Sequence, residues 1–259
     1  MISVITPSRG RPDLAEQHYQ SIFLTASSSS NVELLLYVDD DDPMVDAYRK
    51  HFEHRACVDL VIGPHLKSIG VCWNVLARRA KGDLIMMGND DFSYVSKDWD
   101  IQFETFTQRI PDSIFVLCPL YPDNSCSWFP VTSKKWVEIL GTFTSESFKL
   151  EFHDQWMIRI AVNIERFGVL SNIITLHEPA FDETRAKYGI FDDIVESDKN
   201  TLLEEERRGV SRRLEMMLLR NFSVVPLPQD VQETFKFYST AYRSGQFDKV
   251  DLVSRRPRV

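Results

Sequence analysis

The chain has 259 residues, 43% of them hydrophobic, and 30 Lys and Arg against 38 Asp and Glu give a formal net charge of −8. This length and apolar content predict one large folded domain, or one domain with a smaller appendage, and exclude a wholly disordered chain. The acidic balance excludes a global attraction to nucleic acid or to an anionic membrane. A polyanionic partner would need a local basic patch, and the candidates are Arg207, Arg208, Arg212 and Arg213, and then Arg255, Arg256 and Arg258. Such charge runs are more often a solvated helix face and a chain end.

Cysteine usage and hydropathy indicate where the protein works. The four cysteines show no C-x-x-C spacing, and the sequence opens on a strand pattern without a signal peptide. We therefore expect reduced thiols in a cytoplasmic protein. No apolar run approaches the ~20 residues that span a bilayer, so the sequence predicts a soluble protein with no membrane partner.

The first predicted element is a strand, "ISVITP", residues 2 to 7, which stops at Pro7. Gly10 and Pro12 mark the following loop, and Asp13 is the predicted N-cap of a helix. A second strand follows in "VELLLYV", residues 32 to 38, whose continuous apolar run is typical of a strand covered on both faces.

Acidic residues follow the second strand directly, at Asp39 to Asp42. A helix to about Phe52 and a third strand, "VDLVIG", residues 58 to 63, come next. The segment "SIGVCWNVLARRAKG" has apolar residues at helical spacing, and "DLIMMG" is the fourth strand. Strands alternating with helices predict an α/β fold with a mostly parallel central sheet flanked by helices.

Ligands of such sheets bind outside the carboxyl ends of the strands. The first strand ends at Pro7 to Arg11, the second at Asp39 to Asp42, and the fourth at Asn89 to Asp91. Three polar loops are therefore expected to converge on one edge.

The rest of the chain is predicted to contain further strands and helices and then a helical extension. Strands are expected at residues 113 to 120 and in "VLSNIITLHEP", which ends at His177, and a helix in "FHDQWMIRIAVNIERFG". The composition changes near Ser197, where amphipathic helical patterns begin. We therefore divide the chain into a domain of residues 1–195 and a C-terminal helical extension of residues 196–259.

The acidic loops predict a cation site. Neighbouring carboxylates repel each other, and a divalent ion would relieve that repulsion. Oxygen donors without Cys or His pairs suit Mg²⁺ or Mn²⁺ and fit zinc poorly. Because side chains alternate along a strand, Asn89 and Asp91 can share a face while Asp90 points away, so Asp91 is the better metal ligand.

The ordered segments "VITPSRGRP", "LLYVDDDDP", "SIGVCWN", "KGDLIMMGNDDF", "FPVTSKKWVEILGTF", "HDQWMIRIA" and "LHEPAFDET" resemble the GT-A glycosyltransferases, most closely the soluble family-2-like group of bacterial or bacteriophage type. The resemblance covers roughly residues 1 to 190. It implies a GT-A, Rossmann-like fold and transfer of a sugar from a nucleoside-diphosphate sugar, typically a UDP-sugar.

The resemblance also implies roles for single residues. Asp39 would bind the base, Asp90 the ribose, and Asp91 a Mn²⁺ or Mg²⁺ ion together with His177. Asp154 would be the catalytic base, which inverts the anomeric centre by activating the acceptor hydroxyl. The other residues implied to line the donor are Pro7, Ser8, Arg9, Arg11, Asn74 and Asn89.

Two positions depart from the pattern of that family. The acidic motif is commonly D-x-D, and Asn89 stands in place of its first acid. The G-x-x-x-N of Gly70 and Asn74 is also shorter than the corresponding motif of many relatives.

Simpler interpretations remain open. Asp39 to Asp42 and Asn89 to Asp91 also suit solvated turns, Asp154 suits a helix cap, and His177 suits a structural residue at a strand end. Nucleotidyl transfer to a sugar phosphate and a non-catalytic nucleotide-sugar binding module are the alternative functions. The acceptor is open, and a hydroxymethylated DNA base is one candidate, since arginines could contact phosphates.

Overall fold

The computed structural model describes residues 1–177 and 191–245. In these residues, eight strands form one sheet in the order β3-β2-β1-β4-β7-β6-β8-β5. The strands are β1 (Ile2–Ser8), β2 (Val32–Asp39), β3 (Val58–Gly63), β4 (Leu84–Met87), β5 (Phe92–Tyr94), β6 (Val116–Leu120), β7 (Val131–Ser133) and β8 (Phe167–His177).

Helices connect and cover these strands. They are α1 (Pro12–Thr25), α2 (Val45–Phe52), α3 (Ile69–Arg79), α4 (Trp99–Thr107), α5 (Lys134–Leu140), α6 (His153–Asn163), α7 (Phe191–Arg207), α8 (Val210–Leu219) and α9 (Gln229–Arg243). A single 3₁₀ turn at Ser29–Asn31 precedes β2. None of the helices in the described ranges is long and apolar enough to cross a membrane.

The predicted mostly parallel sheet is confirmed. β1 pairs in parallel with β2 and β4, β2 pairs in parallel with β3, and β6 pairs in parallel with β8. β7 lies antiparallel between β4 and β6. All eight residues of β2 are buried, as its continuous apolar run predicts.

Two local features differ from expectation. Helix α1 begins at Pro12, with Arg11 at the N-cap and no side-chain cap, so the predicted cap at Asp13 is wrong. Proline suits the first helical position because the amide it lacks would have no partner there. Strand β5, which the sequence did not indicate, pairs antiparallel with the end of β8 and places Phe92 opposite His177.

The C-terminal helices share the core of the sheet domain. Leu202, Leu218 and Phe235 are buried in the same hydrophobic cluster as the strands. The Phe235 ring lies so close to Gly168 of β8 that a Cβ on this glycine would come within 3.1 Å of it. The boundary that the sequence placed at residues 195 and 196 falls inside α7, and the division into two units stays a prediction.

This shared packing predicts one cooperative unfolding transition. Phe235 is 1% exposed, and replacing such a phenylalanine with alanine costs about 3–5 kcal/mol. In a chemical denaturation monitored by circular dichroism, Phe235→Ala is expected to shift the whole transition. The exposed neighbour Lys236 supplies the control, Lys236→Ala. Two separated transitions in the variant would show instead that the extension folds by itself.

Candidate active site

The loops after β1, β2 and β4 meet at one edge of the sheet, as the sequence predicted. The Ser8 hydroxyl, at the end of β1, donates to Asp90 Oδ2 at 2.6 Å. The Arg9 guanidinium reaches the second loop, with Nη1 2.6 Å from Asp39 Oδ2. The carboxyl ends of these parallel strands therefore form one continuous polar surface.

Asp90 is a buried carboxylate paired with Arg11. Arg11 Nη2 lies 2.6 Å from Asp90 Oδ1, and its Nε lies 3.0 Å from Oδ2. Burial raises the pKa of Asp90 to about 6, against the opposing effects of Arg11 and Ser8. Arg11 thus contacts both carboxylate oxygens, with Oδ1 held by the ion pair and without a hydrogen bond among the described residues, and Asp90 holds Arg11 in place. Its predicted contact with a ribose stays a prediction.

Tyr48 completes this arrangement and was missed from the sequence. Its hydroxyl lies 2.6 Å from Ser8 Oγ and accepts the Arg11 backbone N–H at 2.9 Å. Burial raises the pKa of Tyr48, so the phenol stays protonated. In the sequence Tyr48 is one aromatic residue of α2, and only its helical position next to Phe52 could have indicated a buried side chain.

Asp91 and His177 lie side by side, as the resemblance implied. Asp91 Oδ1 is 3.3 Å from His177 Nε2, and the Phe129 ring packs edge-on against the imidazole at 5.1 Å. Burial acts to raise the pKa of Asp91, but the hydrogen bond and charge of His177 and the charge of Arg11 hold it below the usual value. Asp91 is therefore a carboxylate at neutral pH.

Asn89, which precedes Asp91 by two residues, supplies a further oxygen. Its Oδ1 is buried and has no hydrogen-bond partner among the described residues. A buried acceptor without a donor is costly unless a ligand or ion completes it. The amide oxygen, the Asp91 carboxylate and the His177 imidazole are together suitable donors for Mn²⁺ or Mg²⁺.

A second acidic group lies at the end of β2. Single ligand atoms of Asp39, Asp41 and His65 lie within 4.8 Å of one another. Arg9 already contacts both carboxylates, at 2.6 and 2.5 Å, and its hydrogen bond lowers the pKa of Asp41. His65, which the sequence left unassigned, contacts Asp39 at 2.9 Å. Arg9 therefore already supplies positive charge to this group, and the assignment of the cation to Asp91 and His177 stays a prediction.

Pro7 and Asn74, which were also predicted to line the nucleotide-sugar donor, have mainly structural contacts. Pro7 lies within β1, opposite Tyr37 of β2. Asn74 Oδ1 accepts the backbone N–H groups of Phe143 and Thr144, each at 3.0 Å, and its Nδ2 donates to the Thr144 carbonyl at 3.0 Å. The Asn74 amide thus orders the segment after α5, and its contact with a donor stays a prediction.

Asp154 is the second residue of α6, which begins at His153. The residue before the helix, Phe152, has a left-handed backbone conformation. Burial, assisted by the charge of Glu151 and opposed by the Gln155 backbone N–H, raises the pKa of Asp154 to about 7. Tyr121 lies close enough for the charge of Asp154 to raise its pKa. A carboxyl with such a pKa can accept a proton near neutral pH.

Trp73 connects the start of α6 to the acidic edge. Its indole N–H donates to the Gly88 carbonyl, just before Asn89, at 3.1 Å. Its ring meets the His153 ring edge-on, with 5.3 Å between centroids. Gly70 allows this arrangement, since a Cβ there would lie 2.3 Å from His153 Cε1. The start of α6, with Asp154 as its second residue, is therefore linked to the loop after β4 through Trp73.

Comparison with solved structures identifies the fold. The chain superposes on the mannosyltransferase PcManGT from Pyrobaculum calidifontis, in complex with GDP-Man and Mn²⁺, with a TM-score of 0.59 and 13% identity, over 93% of this chain and 69% of that one. It superposes on S. aureus TarS 1–349 in complex with UDP-GlcNAc with a TM-score of 0.56 and 13% identity, over 98% and 77%. No protein-family model and no curated protein sequence matches. The chain thus has the GT-A fold of these glycosyltransferases.

The raised pKa of Asp154 predicts a pH-dependent stability. Between the ordinary value of 3.8 and about 7, only the folded state binds the proton, so stability falls as the pH rises through this window. Asp154 is half-buried, and Asp154→Asn removes the cost of holding a charge in this environment. We expect this variant to gain more stability over the unmodified protein at pH 8 than at pH 5, measured by urea denaturation.

A carboxylate with the opposite shift supplies the control. Hydrogen bonds from Ser125 lower the pKa of Asp123 below its ordinary value of 3.8, so its contribution to stability is already complete at pH 5, and the effect of Asp123→Asn should be the same at pH 5 and at pH 8. A stability difference for Asp154→Asn that does not change with pH would contradict the assignment of a raised pKa.

Proposed function

We propose that this protein is a metal-dependent, inverting glycosyltransferase that moves a sugar from a nucleoside-diphosphate sugar to an acceptor hydroxyl. One observation carries the proposal: the neighbouring Asp91 and His177 and the carboxyl of Asp154, with a pKa of about 7, lie on segments that are linked through Trp73. Nucleotide-sugar transfer needs both groups, one for the diphosphate and one for the acceptor proton.

The cation would be held by Asp91 and His177, with the Asn89 amide oxygen as a third donor. When bound, Mn²⁺ or Mg²⁺ neutralises the negative charge that develops on the leaving diphosphate. Arg11 lies beside this position, with Nη1 3.7 Å from Asp91 Oδ2, and Asp90 fixes its orientation. Arg11 therefore adds positive charge where phosphate oxygens would lie.

Asp154 acts as the general base in this proposal. The acceptor oxygen attacks the anomeric carbon while the bond from that carbon to the diphosphate oxygen breaks, and Asp154 takes the hydroxyl proton. Because attack comes from the face opposite the leaving group, the anomeric configuration inverts. With a pKa of about 7, Asp154 is deprotonated above neutrality, so activity should rise with pH through this value.

The donor proposal is a UDP-sugar. TarS 1–349 was solved with UDP-GlcNAc and PcManGT with GDP-Man, so both uridine and guanosine donors occur on this fold. We assign the base to the region of Asp39, whose carboxylate lies at the end of β2 among Arg9 and His65. Carboxylate acceptors pair well with the ring N–H groups of either base.

A panel of UDP- and GDP-sugars, tested with and without Mn²⁺, examines donor and metal together. Mn²⁺ with the correct donor should raise the melting temperature of the unmodified protein and release nucleoside diphosphate. Asp91→Asn should lose the metal-dependent part of both effects. Asp154→Asn should keep the thermal shift and lose turnover, by roughly 100-fold or more for a general base.

The control is Asp41→Asn, which removes a carboxylate of the second acidic group and should keep the Mn²⁺ effect. If Asp41→Asn loses the effect and Asp91→Asn keeps it, the cation site is at β2. Pyrophosphate released from a nucleoside triphosphate and a sugar 1-phosphate would identify a nucleotidyltransferase. Donor binding without any turnover would identify a binding module.

For the acceptor we propose a hydroxymethylated base in DNA, on the strength of one surface. The arginine surface consists of Arg208, Arg212, Arg213 and Arg220, which line a shallow groove along α8. All four side chains are exposed. Phosphate contacts from such side chains would position a duplex without reading its sequence. The other predicted cluster, at Arg255, Arg256 and Arg258, lies outside the described residues.

Neutralising part of the arginine surface should weaken DNA binding in a salt-dependent way. In a gel-shift titration with duplex DNA, Arg212→Ser together with Arg213→Ser should lower affinity and reduce the slope of log K against log salt by about 2. Arg78→Ser, an exposed arginine on α3, is the matched control. Equal binding by all variants, or no binding by the unmodified protein, would exclude this acceptor surface.

A further inference from the structure

The segment before α6 is fixed by a buried carboxylate of the C-terminal extension. Asp198 of α7 is 1% exposed. Its Oδ2 accepts the backbone N–H groups of Leu150 at 2.8 Å, Glu151 at 3.0 Å and Lys149 at 3.1 Å, and its Oδ1 accepts the Lys149 N–H at 2.9 Å. Three successive peptide groups of this segment therefore converge on one side chain.

The backbone N–H groups of residues 149–151 stabilise the buried carboxylate of Asp198. A buried carboxylate is costly unless donors surround it, and no ion pair joins Asp198 to a lysine or arginine within residues 1–177 and 191–245. The dependence is mutual, because the three N–H groups would otherwise need water or another acceptor. The shape of residues 149–151 and the burial of Asp198 thus require each other.

Glu205 makes a second connection from the same helix. It lies seven residues, or about two turns, after Asp198, so both face the same side of α7. Its Oε1 accepts from the Ser145 hydroxyl at 3.1 Å, and its Oε2 accepts from the Trp156 indole N–H at 3.0 Å. Trp156 lies two residues after Asp154. The residues on both sides of Asp154 are therefore held by α7.

Phe152 shows why this contact matters for the direction of α6. Its backbone has φ 68° and ψ 6°, a left-handed conformation that residues other than glycine seldom adopt unless their surroundings fix it. It lies directly between the fixed Glu151 and the start of α6. If residues 149–151 were released, Phe152 could return to an ordinary conformation and the first turn of α6, with Asp154, would turn away.

We propose that Asp198 and Glu205 are positioning residues, through which the C-terminal extension aims the Asp154 carboxylate at the reacting acceptor hydroxyl. The inference rests on the proposed function for the role of Asp154. The two α7 carboxylates do not touch substrate, but both fix the segment that carries the base. In this proposal the extension is therefore part of the catalytic apparatus.

The test compares two buried aspartates that bind backbone N–H groups. Asp198→Asn keeps the size of the side chain and removes its charge. Its matched control is Asp100→Asn, because Asp100 is fully buried and accepts the Ser27 N–H and hydroxyl, both at 2.8 Å, in a turn without site residues. With UDP-GlcNAc or GDP-mannose and Mn²⁺, Asp198→Asn should lower kcat roughly 10- to 100-fold through misplacement of the base, with KM for the donor unchanged.

Glu205→Gln should lower kcat in the same way, and Asp100→Asn should leave kcat unchanged although it also destabilises the fold. Hydrogen exchange should show faster exchange at residues 149–151 in Asp198→Asn only. The proposal is overturned if Asp198→Asn retains the kcat of the unmodified protein, or if Asp100→Asn loses kcat equally.

A readout without substrate separates this proposal from the proposed function. Asp154→Asn is introduced into the unmodified protein and into Asp198→Asn, and the change in stability that it causes is measured against pH. The midpoint of that pH dependence reports the pKa of Asp154 in each background. Releasing the segment should expose Asp154 and move that midpoint from about 7 towards the ordinary value in Asp198→Asn. If no donor is turned over, the proposed function fails. An unchanged midpoint would then overturn the positioning role, and a lowered midpoint would support it.

Discussion

The pairing of Asp90 with Arg11 is the interaction on which the acidic edge depends. It joins the loop after β4 to the loop after β1, and it places a carboxylate with a fully buried side chain against two nitrogens of one guanidinium. Removing Arg11 would leave the charge of the buried Asp90 without its ion-pair partner, which is among the costliest changes a fold can suffer. The same rule applies along the edge. Asp42 accepts the Gly10 and Met44 backbone N–H groups, both at 2.7 Å. The high acid content of these loops is therefore compatible with folding, because the chain supplies donors from neighbouring loops.

The candidate site has two halves with different supports. The loops after β1, β2 and β4 depend on the sheet, whose parallel register brings their ends together. The half that contains Asp154 depends on packing outside the sheet, with Asn74 of α3 ordering residues 143 and 144 and Asp198 of α7 ordering residues 149–151. Trp73 contacts both halves, through the Gly88 carbonyl and the His153 ring. The two halves are therefore held in place by different sets of elements.

The GT-A fold is retained here at 13% identity to the compared structures. Such a fold requires a pattern of apolar strands and amphipathic helices, and many different side chains satisfy that pattern. Fold similarity at this level does not determine chemistry. The proposed sugar transfer therefore depends on individual side chains of this chain: the neighbouring Asp91 and His177, and the carboxyl of Asp154.

The alternation of strands and helices, the parallel sheet and the meeting of three polar loops could be predicted from the sequence, because these features follow from local apolar patterns and from the geometry of parallel strands. The sequence also predicted Asp91 and His177 as a pair, through the resemblance. Four features could not be predicted and are seen only in the folded chain. They are the pairing of β5, the hydrogen bonds of Asn74, the contacts of Arg9 with His65 and Asp39, and the support of the segment before α6 by α7. These features join residues far apart in the chain, such as Asp198 and Glu151, 47 positions apart. Local patterns carry no information about which donor meets which acceptor at such separations, since that depends on how the elements pack.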